Sequence, residues 1–90
     1  MRFEKVSDNN DTYCHLELFI LDEQNPRLEI SLEDTGLIQV TIYPSDKRLV
    51  LSKVEWEWIL REAESFAVKE IANEEAFKRL YESPGADPAV

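Results

Sequence analysis

LEISLEDTGLIQVTIY, residues 28–43, reads as two strands and the turn between them. Leu28, Ile30 and Leu32 alternate with Glu29, Ser31 and Glu33, and Ile38, Val40 and Ile42 alternate with Gln39, Thr41 and Tyr43. Successive side chains of a strand point to opposite faces. Each run therefore has one apolar face for a core and one polar face for solvent or a partner. Asp34-Thr35-Gly36 joins the runs, and Gly36 has no Cβ to oppose the positive φ that a tight hairpin needs.

The pattern extends outward from this hairpin. Towards the N-terminus, Tyr13 to Leu21 alternates in the same way, with Cys14, Leu16, Leu18 and Ile20 on one face. Phe3 to Val6 reads as a short first strand. Ser7 to Asp11 is a polar loop, and Asn25-Pro26 a turn. Towards the C-terminus, Pro44-Ser45-Asp46 turns the chain, and Leu49 to Leu51 is expected to add a last short strand with Leu49 and Leu51 inward. At Ser52 the period changes from 2 to 3.6. Ser52-Lys53-Val54-Glu55 has capping-box spacing. Beyond it Trp56, Ile59, Leu60, Ala63, Phe66, Ala67 and Ile71 form one helical stripe expected to pack on the sheet. Asn73-Glu74-Glu75 suits the cap of a second short helix carrying Ala76, Phe77, Leu80 and Tyr81, and a single unbroken helix fits the sequence equally well. The expected fold is α+β: an antiparallel β-meander of four to five strands, covered on one face by a C-terminal helix. Residues 1–82 form the expected single domain. Residues 83–90, with Pro84, Gly85 and Pro88, read as a flexible tail.

Composition bounds the function. Ninety residues, 43% of them hydrophobic, suffice for one folded domain. No apolar run approaches the roughly 18 residues of a membrane span, and the N-terminus lacks the apolar stretch of a signal peptide. The single cysteine, Cys14, excludes an internal disulfide and suits a reducing compartment, so a cytoplasmic location is expected. Nineteen acidic residues oppose ten basic ones, a formal net charge of −9. Such a field repels phosphate and anionic lipid and attracts a basic partner.

Catalytic patterns are missing. His15 is the sole histidine and neighbours Cys14, but adjacent strand residues face opposite ways and cannot readily form a nucleophile–base pair or chelate one metal. Metal-binding spacings do not occur, and two glycines do not make a phosphate-cradling loop. Glu29 and Glu33 share a strand face without the cleft a glycosidase pair requires. Glu70, Glu74 and Glu75 read as a solvated helix flank. No catalytic, metal or cofactor site is expected, and the chain reads as non-enzymatic.

Two surfaces suit binding. Trp58 points away from Trp56 around the helix and shares its side with Val54 and Arg61. A tryptophan there is an interface anchor, for a partner or for a second copy of the chain, unless the chain's own 74–82 segment folds back over it. The uncovered sheet face is expected to carry Tyr13, His15, Glu17, Phe19, Glu29, Ser31, Glu33, Gln39, Thr41 and Tyr43. Aromatics mixed with acids suit a basic, partly apolar protein surface. The leading expectation is an acidic interaction protein, such as an inhibitor, an immunity protein or a nucleic-acid mimic of phage or mobile-element type.

Leu49-Val50-Leu51-Ser52-Lys53-Val54-Glu55-Trp56, followed by Ile59, resembles the strand-to-helix junction of the p15-type transcriptional coactivators. The resemblance covers a minority of the chain. It implies four strands followed by a helix and single-stranded DNA binding, which is the alternative function. That family grips phosphates with basic and aromatic residues on its sheet, whereas the matching face here offers Glu17, Glu29 and Glu33 against little more than Arg48, so no functional residue carries over. The alternative requires Arg27, Lys47, Arg48 and Lys53 to cluster into a basic stripe.

Overall fold

A computed structural model describes residues 1–7 and 12–82, with side chains to residue 80. Strands β1 (Arg2–Val6), β2 (His15–Phe19), β3 (Leu28–Leu32) and β4 (Ile38–Ile42) form one antiparallel sheet in the order β1-β2-β3-β4, and a single helix, α1 (Lys53–Glu82), packs across one face. This is the expected α+β meander with four strands. The proposed tail at 83–90 and the centre of the loop at 8–11 lie outside the described residues.

The hairpin that decides the fold closes as its sequence requires. The Gly36 N–H donates to the Glu33 carbonyl (2.7 Å) and the Glu33 N–H to the Leu37 carbonyl (3.0 Å), with Gly36 at φ 89°. A tight turn ending in a left-handed glycine matches the right-handed twist of the flanking strands. The segment predicted as a strand over 13–21 is shorter, because the chain turns at Leu21-Asp22. There the Glu23 N–H donates to the Ile20 carbonyl (3.0 Å), and Asp22 adopts φ 66°. No fifth strand forms at Leu49–Leu51. Both leucines pack against the core as expected, but the segment must leave the sheet plane to reach the helix layer, so its backbone does not pair.

The capping box is present as read. The Glu55 N–H donates to Ser52 Oγ (3.1 Å), and the Ser52 N–H donates to Glu55 Oε1 (2.8 Å). Ser52's backbone N–H first, then its hydroxyl, holds the Glu55 carboxyl below its ordinary range.

Leu18, Leu28 and Ile30 of the central strands and Ile59, Ala63 and Phe66 of α1 make the core. Each large one contributes about 1.5–3 kcal/mol on burial. The helix presents a slightly different stripe from the predicted one. Ile59, Ala63, Phe66, Ala67 and Glu70 are buried, while Trp56 and Leu60 remain 38% and 40% exposed. The unbroken helix spans roughly 45 Å, against about 17 Å for a five-residue strand. Its last turns therefore pass beyond the sheet, leaving Phe77 and Leu80 exposed.

Glu70 corrects the reading of a solvated flank. It is 6% exposed. Its Oε1 accepts from the Cys14 N–H (3.0 Å) and its Oε2 lies 2.8 Å from Lys5 Nζ, tying α1 to the start of β2 and to β1. Burial pushes this carboxyl up, but the Lys5 ammonium and the Cys14 N–H together outweigh it and leave it below the ordinary range.

Candidate interaction surface

The face of the sheet away from α1 is built by strand register. Glu4 of β1 lies opposite Glu17 of β2, and Glu17 lies opposite Glu29 of β3. Three carboxylates thus stand side by side across three strands. Side chains directly opposite are about 4.5–5.5 Å apart at Cβ, and like charges so placed destabilise a sheet.

Each carboxylate has a local donor. Arg2 lies 2.9 Å from Glu4, and His15 Nε2 lies 3.3 Å from Glu17 and 3.9 Å from Glu29. The Tyr43 hydroxyl donates a short hydrogen bond to Glu29 Oε1. Burial first, and then this bond and the Glu29 charge, push the Tyr43 hydroxyl above its ordinary range, so it stays protonated. Further along, Gln39 donates to Glu33 Oε2 (2.7 Å) and Thr35 to Glu33 Oε1 (3.3 Å). Glu29 and Glu33 therefore both lean towards β4.

Of the residues expected on this face, Glu17, Glu29 and Tyr43 come together, Glu33 is held apart by Thr35 and Gln39 at the hairpin end, and Tyr13 is half-buried just before β2. His15 joins them, although it was not singled out as a site residue. Phe19 does not offer a free ring, which corrects the expectation: it is 7% exposed, with the Arg2 guanidinium 4.6 Å above its centroid. The alternation was read correctly, but β1 brings a long cationic side chain across the ring.

The Trp58 surface is corrected as well. Trp58 stacks on Phe3 of β1, with ring centroids 5.2 Å apart, and packs against the core. Its cover comes from β1, not from a folded-back 74–82 segment. Val54 and Arg61 are exposed on the helix and make no common patch with the sheet residues. Sequence reasoning missed Glu4, whose place in the row follows only from the β1–β2 register, and it missed the exposure of Trp56.

Among the described residues, His15, Glu17 and Glu29 are the one group whose donor atoms lie within 4.8 Å of one another in the manner of metal ligands. An imidazole and two carboxylates are reasonable donors for a divalent transition metal, but here they already answer one another and Tyr43. An open polar depression elsewhere, between the loops at 22–27 and 44–47, has Arg27 in its wall. That guanidinium donates to both Glu23 oxygens (3.1 Å each) and to the Lys47 carbonyl (2.6 Å), sewing the two loops together.

No family model matches the chain, and neither a curated protein nor a solved structure matches it. No helix among the described residues is long and apolar enough to cross a membrane.

Proposed function

We propose that this chain is a non-enzymatic interaction protein that binds a basic protein partner through the acidic, uncovered face of its sheet. The observation that carries the reading is the Glu4–Glu17–Glu29 row in register across β1, β2 and β3. Neutral polar side chains would solvate this face without mutual repulsion, so folding alone gives no reason for three carboxylates in line. A cationic surface approaching the row removes that repulsion and gains charge-assisted hydrogen bonds. The net charge of −9 speeds encounter with such a surface, and the half-buried Tyr43 and Tyr13 add amphipathic contact area. These properties suit an inhibitor, an immunity protein or a nucleic-acid mimic of phage or mobile-element type acting on a basic target.

The nucleic-acid-binding alternative draws less support. Of the four cations it needs in one stripe, Arg27 is buried and held by Glu23. The test is a pull-down from native lysate with the tagged full chain, in nuclease-treated and untreated halves, washed at low and high salt and read by mass spectrometry. A basic protein retained after nuclease, released by salt and lost with the Glu17→Gln/Glu29→Gln double variant is the expected result. Recovery of nucleic acid alone overturns the reading in favour of the alternative.

A further inference from the structure

The two edges of the sheet are unlike. β1, Arg-Phe-Glu-Lys-Val, carries three charged residues, the usual protection of an exposed edge, and Trp58 covers its Phe3. β4 has no such protection. From Leu37 to Pro44 the chain has no charged residue, no bulge and no proline before the last position, in a molecule where 32% of residues are charged. The side chains that β4 turns towards the helix layer are progressively uncovered: Ile38 packs against the core, but Val40 is 36% and Ile42 66% exposed.

The helix continues this opening. The hairpin at Gly36 meets Ile71, so α1 runs back along β4 from Lys53 near its end to Ile71 near its start. At about 100° per residue, Trp56, Leu60 and Ile71 share the flank on the β4 side, opposite Trp58 on the β1 side. Trp56 and Leu60 are the exposed ones, and the direction of α1 sets them towards the Ile42 end of β4. Hydrogen bonding places the free backbone groups at the same positions. The Tyr43 N–H donates to the Arg27 carbonyl and the Glu33 N–H to the Leu37 carbonyl. Odd-numbered residues of β4 therefore face β3, and the N–H and C=O groups of Ile38, Val40 and Ile42 point outward.

We infer that an extended segment of the partner, alternating basic and apolar residues, adds to the sheet as a fifth strand along β4. This rests on the basic-partner reading above and names its mode of binding. The strand's apolar side chains fill the strip of Val40, Ile42, Trp56 and Leu60, and its backbone satisfies the outward groups of β4. Its basic side chains lie on the other face, beside Gln39 and Tyr43, which hold the carboxylates of Glu33 and Glu29 at that edge. Glu57 and Glu64, exposed on the turns of α1 around Leu60, rim the apolar strip with further negative charge. Lys53 is a cation on that flank, at the start of the helix. A second copy of the chain is the poorer occupant, because a two-fold contact brings these same carboxylates opposite themselves.

The test uses the full chain and two end-capped octapeptides of identical composition, one alternating Lys and Val and one with four Lys followed by four Val. Titration calorimetry and amide chemical shifts report binding. The alternating peptide should bind at least tenfold more tightly than the block peptide and shift the amides of residues 38–42. Val40→Pro should abolish that preference, because the Val40 N–H faces outward and its loss removes no bond to β3. Ile42→Lys, at an exposed position, is the second variant, and far-UV circular dichroism checks that each is folded. Equal binding of both peptides, or binding that survives both variants but is lost with Glu17→Gln/Glu29→Gln, overturns strand addition and leaves the acidic-face reading standing. Failure of both peptides together with an empty pull-down overturns both. A doubled solution mass that Val40→Pro abolishes assigns the edge to a second copy and also overturns the inference.

Discussion

Glu70 and Glu17 show how differently two carboxylates act in one small domain. Glu70 is buried, and its two bonds contribute unequally. Lys5 is half exposed, so water screens the ion pair and its share is about 0–1 kcal/mol. The bond to the Cys14 N–H matters more, because removing the acceptor leaves an internal donor unsatisfied, at about 1–3 kcal/mol. Glu70→Ala is thus expected to cost more than Lys5→Ala in urea denaturation at pH 7. Glu70 sits below its ordinary value of 4.5 when folded, so its charged contribution is present above that pH and is lost as the pH falls through the folded value. Lys5 sits above 10.5, so its share holds below that pH and is lost as the pH rises past it. The deficit of Glu70→Ala should be flat between about pH 5 and 10 and narrow in acid. Glu17 behaves oppositely. It stands between Glu4 and Glu29, so Glu17→Gln should stabilise the free chain by about 0.2–1 kcal/mol. Destabilisation in thermal melts would mean that the His15 contact outweighs the repulsion. Neither role was legible in the sequence. A carboxylate in a helical stripe looks like a flank until its partners from other strands are known, and Glu4 joins the row only through register.

At the scale of elements, local patterns were the most legible. The turn at Gly36, the alternation of β3 and the Ser52–Glu55 box are interactions between residues close in sequence, so three or four residues suffice to specify them. Ser52→Ala should lower stability by about 0.5–2 kcal/mol and fray the first turn of α1, seen as faster hydrogen exchange at residues 54–56. The distal turns should be unaffected, because the cap satisfies donors of the first turn alone. What the sequence did not disclose is which part of a periodic stripe has sheet beneath it. Trp56 and Ile59 look equivalent by period, yet Ile59 is sealed over Leu18, Leu28 and Ile30, while Trp56 stays 38% exposed outside that cluster. Trp58 was misread for the complementary reason: its partner, Phe3, comes from the other end of the chain.

For the whole molecule, the charge of −9 acts on folding and on association with opposite signs. In the free chain, nineteen acids and ten bases repel on balance, and compaction brings the excess acids together. Sodium chloride screens that repulsion over a Debye length that falls from about 30 Å at 0.01 M to about 3 Å at 1 M. Raising the salt should therefore raise the melting temperature of the free chain. A gain of 1 kcal/mol corresponds to about 4–8 °C for a domain of this size. The exposed pair Arg2–Glu4 is weakened by the same salt, and the largely buried pair Arg27–Glu23 less so, against nine uncompensated charges. In the complex with a basic partner the sign reverses, because the attraction that speeds and holds the encounter is screened. The same titration should weaken the complex while the free chain grows more stable, read by differential scanning fluorimetry for the one and by calorimetry with the alternating Lys–Val peptide for the other. A free chain whose melting temperature falls with added salt would show that its ion pairs outweigh the repulsion among its excess acids, and would overturn the expected opposition of sign.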